Sequence, residues 1–248
     1  MSAPAIDLNA DLGEGVTDDD ALLEVVTSAN VACGFHAGDV ATMRRVCEGA
    51  KARGVRIGAQ VSYRDRAGFG RRDLEVDRVT LRADVAEQLG ALAEIAEQSG
   101  ATVRYVKPHG ALYNRAGWDD EQAGAVIDAV RAHGPLPVLG LPGARLLAAA
   151  ERAGLTAVAE AFADRAYTAV GTLVPRNVPG AVISDPGEVA DRAVRIALTG
   201  RVASIDGVEV ATPARSICLH GDTPHAAELA ARVRAALAAA GVLVRAFT

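Results

Sequence analysis

The chain has 248 residues, half of them apolar, 23% charged and 4% aromatic, which excludes a disordered or fibrous protein. A pI near 5.6 and a net charge of -5 provide no field for binding a phosphate backbone and argue against nucleic acid as a partner. Cys33, Cys47 and Cys218 form no C-x-x-C pair, so neither a disulfide framework nor a thiolate zinc site is signalled, and a reducing cytoplasm is expected. Arginines interrupt the Ala-rich stretches around Ala148 and Ala236, and the acidic N-terminal segment has no basic region, so neither a membrane span nor a signal peptide is predicted.

In chain order, short β-type runs alternate with stretches of helical period. Strands are predicted at Ala5–Asn9, Ala29–Cys33, Arg56–Gln60, Thr102–Lys107, Leu136–Gly140, Thr156–Glu160 and Ser216–Leu219, with an eighth at Val242–Arg245. Leu81, Val85, Leu89 and Leu92 mark one amphipathic helix, and Leu229, Val233 and Leu237 another. Asp185-Pro186 opens a helix that Gly200 stops, and Gly54, Gly100 and Gly241 are placed to end helices before strands. Asp206-Gly207 marks a hairpin turn. This regular alternation predicts a parallel sheet with helical crossovers, and the length suits one domain over residues 1–248.

Lys51 and Lys107 are the sole lysines in a chain that otherwise uses arginine. Lys107 ends a predicted strand, where a compact ammonium of tunable pKa differs in kind from a guanidinium. Asn9, Asn30 and Asn114 and four of the five histidines also fall at or after predicted strands. Asn9, Asp11 and Glu14 group with the first strand, and Asn30, His36 and Asp39 with the second. Gln60 ends the third; Lys107, His109 and Asn114 group with the fourth, Glu160 and Asp164 with the sixth, and His220 and Asp222 with the seventh. In a closed parallel barrel these positions converge on the C-terminal mouth, where catalytic groups are built.

Each group also has a plain structural reading. Polar residues after a strand cap helices and close turns, the expected role of Asp39. Cys33 is expected in the core. Lys107 and His109 suit oxyanion or phosphate stabilisation and proton transfer. Glu160, Asp164, Arg165 and Tyr167 read either as two carboxylates held by a cation or as an ion-pair network. Gly68-Phe69-Gly70-Arg71-Arg72 reads as a loop, either solvated or folded over an anion. Neither lysine follows a glycine, so there is no Walker A motif.

Six segments, Asp7–Gly15, Ser28–Asp39, Lys107–Asn114, Phe162–Tyr167, Leu173–Arg176 and Cys218–Asp222, resemble the LamB/YcsF family in its order and over nearly the whole chain. The resemblance implies an irregular seven- or eight-stranded (β/α) barrel of the glycoside hydrolase and deacetylase kind. It also implies opening of the 5-oxoproline lactam to L-glutamate with ATP as co-substrate, alongside partner subunits B and C of a 5-oxoprolinase. On that chemistry Lys107 polarises the carbonyl, His109 or His36 moves protons, Asp11 and Glu14 position water or a divalent metal, and Arg176 pairs with the substrate carboxylate. Asn9, Asn30, Gln60, Asn114, Glu160, Asp164, His220 and Asp222 complete the expected site as substrate-binding residues. Gln60 stands where the family carries a histidine, and glutamine is a poor ligand for a borderline metal. Two other functions fit the same residues: a metal-dependent carbohydrate amide hydrolase acting alone, and a regulatory subunit without chemistry of its own.

Overall fold

A computed structural model describes residues 3–220 and 226–248 of the chain. Its strands are β1 (Ala5–Leu12), β2 (Ser28–Ala32), β3 (Arg56–Val61), β4 (Val103–Pro108), β5 (Val138–Gly140), β6 (Ala157–Phe162), β7 (Arg201–Ala203), β8 (Glu209–Ala211), β9 (Ser216–Leu219) and β10 (Leu243–Val244). Seven of them, β1 to β6 and β9, pair in parallel, and β1 closes on β9 through Asp7↔Ser216 to Ala10↔Leu219. The eighth, β10, lies outside the ring and pairs with the first residues of β1. β7 and β8 form the expected antiparallel hairpin.

The eight helices among the described residues are α1 (Asp19–Leu23), α2 (Val40–Arg53), α3 (Arg78–Gln98), α4 (Gly110–Ala116), α5 (Asp120–His133), α6 (Arg145–Arg152), α7 (Pro186–Thr199) and α8 (Ala226–Ala239). Leu81, Val85, Leu89 and Leu92 of α3 are fully buried, as are Val233 and Leu237 of α8, so both predicted stripes face the barrel. Each such side chain contributes about 1.5–3 kcal/mol on burial. Asp39 caps α2 by accepting from the Thr42 amide at 2.8 Å. Asp185 caps α7, with Pro186 in its first turn.

Most strand boundaries shift by one or two residues from expectation, β2, β3, β6 and β10 among them. β1 runs on to Leu12, which brings Asp11 inside the strand, and β4 runs on to Pro108. β5 begins only at Val138, because Pro137 has no N–H to add to a ladder and serves through its carbonyl, which accepts from the Val106 amide. α4 follows β4 after one residue, a helix that Gly110 and the preceding Pro108 disguised.

The barrel interior is polar. Strand alternation turns Leu8, Ala10 and Leu12 outward under the helices and Asp7, Asn9 and Asp11 inward. Barrel interiors of this class are ordinarily filled by branched apolar residues. Here the apolar filling comprises a lower plug of Tyr105, Leu139 and Val158, against which Phe247 packs edge-on at 5.0 Å, and an upper cluster of Tyr113, Phe162 and Cys218. Gly58 makes room for Tyr105, since a Cβ there would lie 2.2 Å from the ring. Above the plug, Asp7 accepts from the hydroxyls of Thr27 (2.7 Å), Ser28 (2.6 Å) and Ser216. Burial nevertheless raises its pKa.

Candidate active site

Three linked groups sit at the C-terminal end of the barrel. At the centre the Lys107 ammonium is 3.0 Å from Glu160 Oε2, 3.1 Å from Cys218 Sγ, 3.3 Å from Asn9 Oδ1 and 3.6 Å from Asp11 Oδ1. Burial favours the neutral amine, but these neighbours outweigh it and hold Lys107 protonated. Burial likewise pushes Asp11 up, and Lys107 and His109 reverse the effect, leaving its carboxyl below the usual range. Asn30 fixes the arrangement from beneath: it donates to Asn9 Oδ1 and Asp11 Oδ1 and accepts from the Tyr105 hydroxyl at 2.6 Å. Asn9, Asn30, Gln60 and Glu160 are all fully buried in this layer.

The second group lies beside the first. The rings of His36 and His109 stack at 4.0 Å, and Glu14 Oε1 is 3.5 Å from His36 Nε2 and from His109 Nδ1. The far nitrogens are oriented by Ser62 Oγ (2.9 Å from His36 Nδ1) and the Phe69 carbonyl (3.1 Å from His109 Nε2). Burial, then the neighbouring His36, depress the His109 pKa to about 3, so its imidazole is neutral. Gln60 donates from Nε2 to Glu14 at 3.0 Å and faces His109 Nδ1 at 2.8 Å. The loop after β3 folds over the pair instead of standing in solvent. Its hinge is Asp65, which accepts from the Gly68 and Arg72 amides and from the Arg72 guanidinium. At its tip Phe69 holds a left-handed φ of 56° with its ring against both imidazoles.

The third group separates residues expected together. Glu160 belongs to Lys107, whereas Asp164 holds His220, accepting from its amide at 3.0 Å and lying 2.9 Å from its Nδ1. Burial raises Asp164, but His220 outweighs it and the carboxyl titrates low. Arg165 bridges no carboxylate pair; it donates to the backbone carbonyls of Ala181 and Val174. The Tyr167 hydroxyl accepts from the Phe162 amide. The expectation of two carboxylates clamped by one cation is thereby corrected: each acid has its own base.

Above these groups opens a cavity of about 700 Å³, lined among others by Asp11, Lys107, His109, Tyr113, Arg165, Arg176 and His220. Asn114 is exposed on its outer wall, and Trp118 on its lip. Asn9, Asn30, Gln60, Glu160, Glu14 and His36 lie below or beside its lining. Asp222 falls outside the described residues. Cys218 and Ser62 carried no usable signal, because a cysteine in a strand run reads as core and a serine just past a strand reads as a turn residue. A second cleft, of about 540 Å³, opens by Arg53, Arg56, Arg234 and Arg245 and contains none of the candidates.

Glu14, His36 and His109 present ligand atoms that all lie within 4.8 Å of one another, and the His36 Nε2 they include has no hydrogen-bond partner among the described residues. Two imidazoles and a carboxylate, each imidazole fixed through its other nitrogen, form a donor set that fits a divalent metal.

The fold and the site together define a parallel (β/α) barrel whose C-terminal mouth carries buried acid–base pairs under an open cavity. The chain belongs to the LamB/YcsF family, whose model matches residues 6–248. It is 65% identical to the A subunit of the Streptomyces griseus 5-oxoprolinase, over 98% of this chain and 99% of the relative. It is 56% identical to the corresponding subunit from Mycobacterium avium, over 98% of each. A lactam utilization protein from Thermus thermophilus superposes with a TM-score of 0.93 at 45% identity, covering 98% of this chain and all of the other. A polysaccharide deacetylase from Bacillus cereus shares the fold with a TM-score of 0.56 at 12% identity, covering 99% and 92%.

Proposed function

We propose that this chain opens the lactam ring of 5-oxoproline to L-glutamate as one component of an ATP-dependent enzyme, with partner subunits B and C. The observation that carries this reading is the protonated Lys107 held at the cavity floor by Glu160 and Asp11, beside the Asp164–His220 pair, in a chain 54–65% identical to proteins named as 5-oxoprolinase A subunits.

A lactam resists water because its nitrogen delocalises into the carbonyl. Opening it needs positive potential at the carbonyl oxygen and a proton for the departing nitrogen. Lys107 supplies the potential from a site where the low dielectric leaves it little screened. His220, with Nδ1 held by Asp164, has Nε2 for proton transfer, and it is less buried than His109, whose depressed pKa keeps it neutral. Arg176 lines the cavity and takes the ring carboxylate through its planar fork. Glu14, His36 and His109 would hold a divalent metal, which when bound acts as a Lewis acid on a carbonyl or a water.

The test is glutamate production from 5-oxoproline by the reconstituted subunits, with ATP or this chain omitted in turn. Turnover is expected only with both present; glutamate formed at the full rate without this chain overturns the reading. The metal-ligand triad favours a second reading, a metal-dependent amide hydrolase acting alone. Release of acetate from N-acetylated sugars by the isolated chain, abolished by a chelator, would select it.

A further inference from the structure

Gln60, next to last in β3 and fully buried, sets its amide against the metal triad. Its Nε2 lies 3.0 Å from Glu14 Oε1 and 2.8 Å from His109 Nδ1, two of the atoms that would hold an ion. The other arm of the same amide is left over: Oε1 is buried and has no hydrogen-bond partner among the described residues. His109 is fixed in the complementary form, because the Phe69 carbonyl can only accept; Nε2 of the imidazole carries the proton and Nδ1 turns a lone pair toward Gln60. Without an ion, then, the two N–H bonds of Gln60 satisfy lone pairs that a cation would otherwise take.

A cation in the triad reverses this arrangement. The lone pairs of Glu14 and His109 are spent on the ion, and the amide N–H bonds then face positive charge with nothing to donate to. A half-turn about the last torsion of the side chain exchanges nitrogen for an oxygen of nearly the same size. The spacing suits such a ligand, since neighbouring donors on an ion bonded at about 2.1 Å stand about 3 Å apart in octahedral coordination. The Gln60 head group is already that far from Glu14 and His109. We infer that Gln60 is a fourth protein ligand, binding a divalent ion through Oε1 once its amide has turned over, and that it shifts the site toward harder ions such as Mn²⁺ relative to Zn²⁺. An amide oxygen is a hard donor, whereas an imidazole in its place would favour Zn²⁺. The inference rests on the metal triad of the proposed function and not on its lactam chemistry. An ion reaches the site from the cavity, whose lining includes His109.

The test titrates the full chain, stripped with chelator, with Mn²⁺ read by electron paramagnetic resonance and Zn²⁺ read by competition against a chromophoric chelator. Wild type is expected to bind one Mn²⁺. Gln60→Leu, close in volume and without a donor atom, is expected to weaken Mn²⁺ by about tenfold or more, and Gln60→His to raise the Zn²⁺-to-Mn²⁺ affinity ratio by about tenfold or more. Gln60→Glu keeps an oxygen donor and loses the N–H bonds, so it is expected to hold Mn²⁺ at least as tightly as wild type, which keeps the question decidable should the leucine variant fail to fold. Mn²⁺ bound as tightly by Gln60→Leu as by wild type, weakened in Gln60→Glu, or not bound by wild type overturns the inference; so does an unchanged ratio in Gln60→His. Each of these results leaves lactam opening by the reconstituted subunits standing, and failure of that turnover with Mn²⁺ bound as expected overturns the proposed function alone.

Discussion

Lys107 illustrates how a single buried charge ties stability to chemistry. Glu160 and Asp11 are buried against it, so removing the ammonium strands negative charge in a low dielectric and costs about 3–5 kcal/mol. Lys107→Met is therefore expected to abolish turnover and also to lower Tm by roughly ten degrees in a scanning calorimeter; unchanged Tm would show that the cluster is not coupled as its distances imply. His109 makes a prediction of the opposite kind. Its pKa falls from 6.5 to about 3 on folding, so between those values the unfolded chain binds a proton that the native one refuses. Stability contributed by neutral His109 is complete above 6.5 and lost as pH falls toward 3. The slope approaches about 1.4 kcal/mol per pH unit inside that window. Urea unfolding in chelator at a series of pH values should show this slope, and His109→Gln should lose it.

Among the elements, the loop from Asp65 to Arg72 bears most directly on the site, because it forms the roof over the stacked imidazoles. Gly70 lies inside it with a φ of 68°, and a Cβ would come within 2.9 Å of His36 Cβ and His109 Cδ2. Gly70→Ala thus adds backbone strain to a clash with side chains that are themselves fixed, and a loss of about 1–3 kcal/mol in urea unfolding is expected. Its composition left this loop ambiguous between a solvated strap and an anion cover. What decides is the Asp65 carboxylate, whose two kinds of N–H partner, backbone amides and a guanidinium, become visible only when the chain turns back on itself. The strands, by contrast, were legible from short apolar runs bounded by turn residues, and the helices α3 and α8 from their stripes, because burial imposes period on sequence. α4 was not legible, since a helix that begins at a glycine two residues after a proline shows no opening signal.

At the scale of the whole molecule, convergence of Asp11, Lys107, His109 and His220 on one mouth was legible because parallel alternation sends every strand end the same way. The pairing among them was not. Which acid serves which base depends on barrel register, for example Glu160↔Ser216, and register is not written in any one segment. The same holds for the polar interior: Asp7 and Asn9 lie within the predicted strand, whereas Asp11 joins them on its inward face only because β1 runs on to Leu12. That interior has a bearing on the far end of the barrel. Phe247 stoppers the shaft beneath Tyr105, whose hydroxyl in turn props Asn30 under Asn9 and Asp11. A drain opened there would let solvent rise through the column and dilute the field around the ammonium, so the tail ring and the reaction chamber, though at opposite ends, share one insulation.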